Sequence, residues 1–385
     1  MAFKHPYRKP SLWKGSTLYL FSIVILFFSI GIFTSMKPAY RITSDVIQSW
    51  TSDMDGSVFS HILAMENKAF QYVMKEEHDT LGIASLLFEV ATSIKPNDPR
   101  SLLGNEIPGF SIYDRKIFIA GTGTDYTNLP FESSPPLEEV LKEREAVFEE
   151  EELEQDDGQD EGNTPSTGGR DVVFIYNTHN RESFLPHLPG VNDPNKALHH
   201  EVNITLVSER LAKSLEAKGI GAQVDKTDFA KKLSERNWEY WRSYEVSRES
   251  VVAAFNNNKD LQYVFDLHRD GLGKKHTTAE INGESYAKIM FVIGEDHPNM
   301  EKNLELATEL HYLVEEKYPG LSRGVIPQGG SGNNGVYNQD LSEHALLIEI
   351  GGVENHLNEL YRTADALAEV FSDYYWDAEE VDANP

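Results

Sequence analysis

The chain has 385 residues, no cysteine, and 62 acidic against 35 basic side chains, a formal net charge of −27. That charge excludes nucleic acid as a partner and broad adhesion to an anionic lipid surface, since nothing so acidic gains by displacing counterions from phosphates. The missing cysteines exclude disulfides, a thiolate nucleophile and thiolate metal sites, so any metal must be held by His, Asp or Glu.

The first element is a run of 22 residues without a charge, Gly15 to Met36. At about 1.5 Å per residue it crosses a hydrocarbon core of roughly 30 Å. Lys4, Arg8, Lys9 and Lys14 precede it, and only Lys37 and Arg41 follow closely. The positive-inside rule then predicts a cytoplasmic tail over 1–14, a transmembrane helix over 15–36, and an extracytoplasmic remainder. A cleaved signal peptide fits less well, because the run is long and Thr34-Ser35-Met36 is a poor cleavage site. Residues 37–136 read as a small extracytoplasmic N-terminal region without a chemical motif. Residues 137–169 read as an acidic flexible linker: nine of the thirteen positions 149–161 are carboxylates, and a Gly/Ser/Thr-rich stretch follows.

From residue 170 to 385 the pattern changes. Val172–Tyr176 is a short apolar run that predicts a buried strand, and Ile204, Val207, Leu211 and Leu215 then mark one face of a helix. A strand at Gly221–Val224, a helical stretch through Tyr240, Tyr244, Val251 and Phe255, and a strand at Leu261–Leu267 come next. Ile289–Ile293 predicts a further strand before a helix with Leu306, Leu310 and Leu313. Ala345–Ile350 is the last strand, and Leu357 to Phe371 the last helix. Alternation of this kind over more than 200 residues predicts an α/β domain with a mainly parallel central sheet flanked by helices.

Three of these strands end in ionisable clusters. The first runs into Asn177-Thr178-His179-Asn180-Arg181-Glu182-Ser183, and another ends Asp266-Leu267-His268-Arg269-Asp270. The last carries Glu349 among Leu346, Leu347, Ile348 and Ile350, where a charge is costly unless paired or bound to a metal. Ligands of open α/β sheets bind beyond the carboxyl ends of the strands, so the three clusters can converge. Two imidazoles and a carboxylate suit Zn²⁺ and leave a position for water, beside which a further carboxylate can act as proton carrier.

These motifs carry a resemblance. THNRESF (Thr178–Phe184), FDLHRDG (Phe265–Gly271), IMFVIG (Ile289–Gly294), YNQDLS (Tyr337–Ser342) and LLIEIGG (Leu346–Gly352) resemble the stage II sporulation protein P family. The resemblance implies a peptidoglycan hydrolase of the sporulation septum, anchored in the cell membrane and active in engulfment. Its implied fold is that of zinc-dependent N-acetylmuramoyl-L-alanine amidases, of the phosphorylase/hydrolase-like kind, and peptide-cleaving (endopeptidase) activity is implied as well. Implied partners are the stage II sporulation proteins D and M. By the same resemblance His179 and His268 hold the zinc and Glu349 is the general acid/base. The third ligand is Glu182, from the motif of His179, in preference to Glu201 at the start of a helix. Asp266 shares strand parity with His268 and is a candidate either to orient that imidazole or simply to cap the strand end. Arg269 and Asp270 are candidates for substrate or for each other, and Arg269 also for the oxyanion. Tyr337, Asn338 and Gln339 are either a substrate loop or an ordinary surface loop. Adjacent His199 and His200 read as structural. A wall-binding scaffold without activity and a zinc carboxypeptidase remain as competing functions, the latter needing a cationic anchor for a terminal carboxylate.

Overall fold

The apolar runs expected as strands are strands in the computed structural model, which describes residues 117–130, 135–148, 165–329 and 333–383. The chain divides into two units, Met1–Pro96 and Asn97–Pro385, and all described residues belong to the second. Its elements in chain order are β1 (Ile119–Ala120), α1 (Leu137–Val140), β2 (Asp171–Tyr176), α2 (Thr205–Ala217) and β3 (Gly221–Val224). There follow α3 (Phe229–Glu235), α4 (Ser243–Asn257), β4 (Tyr263–Asp270), the hairpin β5 (Thr278–Ile281) and β6 (Glu284–Ala287), and β7 (Ile289–Gly294). The last are α5 (Met300–Lys317), β8 (Ser322–Gln328), β9 (Ala345–Gly352) and α6 (Leu357–Ala383).

Seven strands form the central sheet in the order β1-β8-β7-β9-β4-β2-β3. The β3-β2-β4-β9 block and the β7-β8 pair are each parallel inside, and β7 runs antiparallel to β9. The sheet is therefore mostly parallel rather than wholly so. Its two faces are covered by different helices. Val173, Ile175, Phe265 and Ile348 point into a core with Val207, Leu211 and Leu215 of α2, Leu310 of α5 and Leu367 and Phe371 of α6. Phe174, Tyr176 and Val264 point the other way, against Phe229 and Leu233 of α3 and Val246 and Val251 of α4. Each such aliphatic side chain, once fully buried, contributes on the order of 1.5–3 kcal/mol.

The chain leaves β2 through α2 on one face to reach β3. It leaves β3 through α3 and α4 on the other face to reach β4, on the far side of β2. The crossovers diverge above β2 and β4, and this topological switch opens a crevice at their carboxyl ends. The motifs of His179 and His268 stand at those two ends.

The α/β domain extends upstream of residue 170. β1 pairs with β8, and Gly324 makes room for it: at φ +110° its missing Cβ would fall 2.0 Å from the Ile119 carbonyl oxygen. Residues 137–148, read from the sequence as the start of the linker, lie on the domain. Val140 is buried against the α3–α4 face, and Ala146 and Phe148 lean on the opposite core. Arg144 donates to the Leu198 carbonyl. The apolar residues spaced through this acidic stretch are the physical reason. Among the described residues no helix is long and apolar enough to cross a membrane. The transmembrane expectation at Gly15–Met36, the rest of the N-terminal region and the acidic run 149–161 lie outside the described residues.

Candidate metal centre

The loop after β2 is held on all sides before any metal is considered. Asn177 donates to the Leu267 carbonyl at 2.7 Å and accepts from Ser208 of α2 at 2.9 Å. The Asn180 side-chain oxygen accepts from the backbone N–H of Phe229 and Ala230, satisfying donors in the first turn of α3. Arg181, almost fully buried, donates at 2.7 Å to Asp228, which also caps α3 through the Lys231 N–H. Burial opposes the charged form of Asp228, but hydrogen bonds from Arg181 and the Lys231 N–H outweigh it and hold the carboxyl below its ordinary value. Its contribution to stability is thus complete above the ordinary carboxylate range and fades as pH falls through the lowered folded value. Asp228→Asn should cost about 1.5–3 kcal/mol near pH 7. Urea denaturation should show the variant and wild type converging as the pH drops below about 4.

Within this frame the chain turns back at His179, whose carbonyl accepts from the Glu182 N–H. The turn brings the Glu182 carboxylate between two imidazoles. Its Oε1 lies 3.7 Å from His179 Nδ1 and its Oε2 3.6 Å from His268 Nδ1. One ligand atom from each residue falls within 4.8 Å of the others, and all three residues are buried. The backbone N–H of Arg269 donates to Glu182 Oε2 at 3.0 Å. Burial alone would raise the Glu182 carboxyl, yet the His179 and His268 imidazoles facing its two oxygens, with the charges of His268 and Arg269, hold it well below the usual carboxylate range. His268 shows the converse: burial lowers it, but Asp266 and Glu182 together drive it well above the ordinary imidazole value.

Asp266, two residues back on the same face of β4, lies 3.0 Å from His268 Nε2, as strand parity predicts. Thr178 fixes that carboxylate, its N–H donating to Oδ1 at 2.8 Å and its hydroxyl to Oδ2 at 2.6 Å. The Thr178 hydroxyl meets Ser247 of α4, which in turn accepts from Asn338. His268 thus presents Nδ1 to the cluster while its other nitrogen faces a carboxylate, the arrangement that orients histidine ligands of zinc. Two imidazole nitrogens, one carboxylate and this backing fit Zn²⁺ by donor type and number, with room in a four-coordinate shell for water.

Glu349 on β9 is paired in parallel register with His268, so its side chain leaves the same sheet face. It is 8% exposed. Two residues on and still within β9, Gly351 has φ +66°, and a Cβ there would stand 2.8 Å from Leu360 Cδ2.

Other residues singled out by the sequence fall elsewhere. Glu201 is 77% exposed and faces His200 at 3.5 Å, away from the two ligand-type histidines. His199 is structural: Nδ1 accepts from the Val202 N–H and Nε2 donates to the Arg144 carbonyl. Arg269 is committed to the carbonyls of Ser183 and Ala197, so it braces the Glu182 loop rather than facing an oxyanion. The Asp270 carboxylate pairs with Arg323 of β8 at 2.6 Å, both fully buried, and the Arg269 guanidinium donates to the Asp270 backbone carbonyl at 3.5 Å. Tyr337, Asn338 and Gln339 do not form a surface loop. All three are buried; Gln339 bridges the Gly294 N–H and the Val292 carbonyl, and Tyr337 donates to Gln328.

Sequence reasoning missed the aromatic wall of the centre. The Tyr240 ring stacks on His179 with centroids 5.0 Å apart, and Tyr244 meets His179 edge-on at 5.7 Å and His268 at 6.4 Å. In the sequence they mark only a helical stretch. Ser247 carries no signal in the sequence, because it sits in no charged cluster, and Asn338 is legible there only as part of a loop.

A buried His–Glu–His set at the carboxyl ends of a mostly parallel sheet defines an α/β protein with a centre compatible with a metal ion. Residues 97–372 match the Stage II sporulation protein P (SpoIIP) family, and the chain belongs to that family. It is 47% identical over 373 residues to the stage II sporulation protein P of Bacillus subtilis (strain 168), covering 96% of this chain and 93% of that one. Among solved structures it resembles the N-acetylmuramoyl-L-alanine amidase AmiC2 of Nostoc punctiforme, with 14% identity, 56% of this chain, 99% of that chain and a TM-score of 0.31. A metallo-carboxypeptidase from Burkholderia cenocepacia is similar at 12% identity, 55% of this chain, 59% of that chain and a TM-score of 0.33. Likenesses this distant carry no weight for the chemistry.

Proposed function

We propose that the protein is a zinc-dependent peptidoglycan hydrolase, an N-acetylmuramoyl-L-alanine amidase with endopeptidase activity, that degrades septal wall during engulfment. The observation that carries this reading is the buried His179–Glu182–His268 set backed by Asp266, with Glu349 beside it. His179, Glu182 and His268 would hold the ion. When bound, Zn²⁺ supplies Lewis-acid polarisation of the scissile carbonyl and acidifies water.

The chain's own residues do the rest. Glu349 takes one proton from the attacking water as its oxygen bonds to the amide carbon. It then returns that proton to the amine nitrogen as the carbon–nitrogen bond breaks. Tyr240 and Tyr244 hold the imidazole of His179 and keep bulk water from that side. Arg269 fixes the Glu182 loop through two carbonyls and its own N–H. Carboxypeptidase chemistry finds less support, since the guanidinium groups of Arg181 and Arg269, from the site motifs themselves, are engaged by Asp228 and by backbone carbonyls.

The proposal includes the membrane anchor at Gly15–Met36, with a cytoplasmic N-terminus, and assembly with stage II sporulation proteins D and M at the septum. Purified sacculi digested with the full-length protein and zinc should release stem peptides with free L-alanine amino ends, read by mass spectrometry. Intact sacculi would refute the hydrolase, and release of C-terminal amino acids alone would make it an exopeptidase. Glu182→Gln should weaken zinc binding by at least tenfold and Glu201→Gln should leave it unchanged, measured by competition with a chelator.

A further inference from the structure

Beside the centre lies an aromatic cleft of about 550 Å³ that the chemistry above does not use. Pro136, Leu137, Trp238, Tyr240 and Trp241 are among the residues that line it. Small-ligand sites commonly measure roughly 300–1,000 Å³ and combine aromatic walls with a few polar groups. Tyr240 joins cleft to centre, because it lines the first and its ring stacks on His179 of the second.

The two indoles are set in place beforehand. Trp241 is 65% exposed, yet its Nε1 donates to Glu239 Oε2 at 2.8 Å, which fixes the plane of the ring. Arg242 stacks over Trp238 at 3.5 Å from the ring centroid and is itself paired with Glu245. An aromatic surface already ordered loses little freedom when a ligand settles on it.

The polar groups of the cleft limit what that ligand is. They are Ser234, Asn237, Glu138 and Glu239, and the guanidiniums at its edge, Arg242 and Arg236 on Trp238, are paired with Glu245 and Glu249. Such a lining repels phosphates and the free carboxylates of a stem peptide. It suits a neutral ring with an apolar face, hydroxyls and an amide. An N-acetylated sugar has all three.

We propose that this cleft is a glycan subsite, holding an N-acetylhexosamine ring of a wall strand against Trp241 beside the centre that acts on the neighbouring amide. The proposal rests on the reading of that centre as a wall hydrolase. Chitotetraose, a neutral N-acetylglucosamine tetramer with no stem peptide and no lactyl amide, serves as the probe. Titrated into the full-length protein and followed by tryptophan fluorescence and calorimetry, it should bind saturably. Trp241→Ala, a surface change, should weaken that binding about five- to tenfold with zinc content unchanged. Absent binding, or equal binding by Trp241→Ala, would overturn the subsite. So would displacement of the tetramer from the cleft by an anionic stem peptide. Hydrolysis separates the two proposals: tetramer binding through Trp241 in a protein that leaves sacculi intact sustains the subsite and removes the hydrolase.

Discussion

His268→Ala should lose zinc and wall hydrolysis together while the domain stays folded. The side chain removed is the one that faces Glu182 through one nitrogen and Asp266 through the other. Its loss leaves Glu182 and Asp266 without the imidazole that stands between them, and a metal shell reduced to His179 and Glu182. Loss of a backing partner alone typically costs ~10–100-fold in metal affinity, and loss of a ligand exceeds that. His179→Ala should behave alike, with the added loss of the ring on which Tyr240 stacks. Elemental analysis with circular dichroism and sacculus digestion provides the check. A folded His268→Ala protein with stoichiometric zinc and undiminished release of stem peptides would remove this residue from the metal shell.

Glu349→Gln should give the opposite division: zinc retained, hydrolysis reduced about 10²–10⁴-fold. Glutamine keeps the shape but neither takes the proton from water nor returns it to the leaving amine. Its neighbour in register, His268, is untouched, so the metal set persists. Single-turnover digestion at saturating sacculi should show the loss in the rate of release, not in the amount of wall bound. Zinc loss in Glu349→Gln would make the residue a ligand and leave the proton carrier to be found.

Much of this was readable before any coordinates. Apolar runs as dense as Val172–Tyr176 and Ala345–Ile350 have few alternatives to a buried strand, and ionisable groups at their ends stand out against them. The strand β8 was not readable: Gly324 and Pro327 interrupt its pattern, and only the pairing with β1 explains the glycine. Residues 137–148 were masked by their acidic composition, although Val140 alone among them is fully covered. The choice between Glu182 and Glu201 lay in a turn with no period to read. Its geometry follows from hydrogen bonds that tie residues about 20 and 90 positions apart, such as Ile204 N–H to the Glu182 carbonyl and Arg269 N–H to its carboxylate. The Tyr337–Gln339 segment follows a glycine-rich stretch, which concealed three buried side chains.

The seam between the early segments and the domain has a consequence for handling the protein. A protease that cuts the acidic run between Phe148 and Pro165 severs one covalent link, but the upstream piece is still stitched in by other means. It supplies the edge strand beside β8, the Asn128 carbonyl that accepts from Arg323, and the Val140 carbonyl that accepts from Arg181. The nicked chain should therefore migrate as one particle until denatured and separate into two only then. A fragment beginning at Arg170 would lack that piece, leaving the Arg323–Asp270 pair uncovered at one end and a raw sheet edge along β8, a site for adventitious pairing.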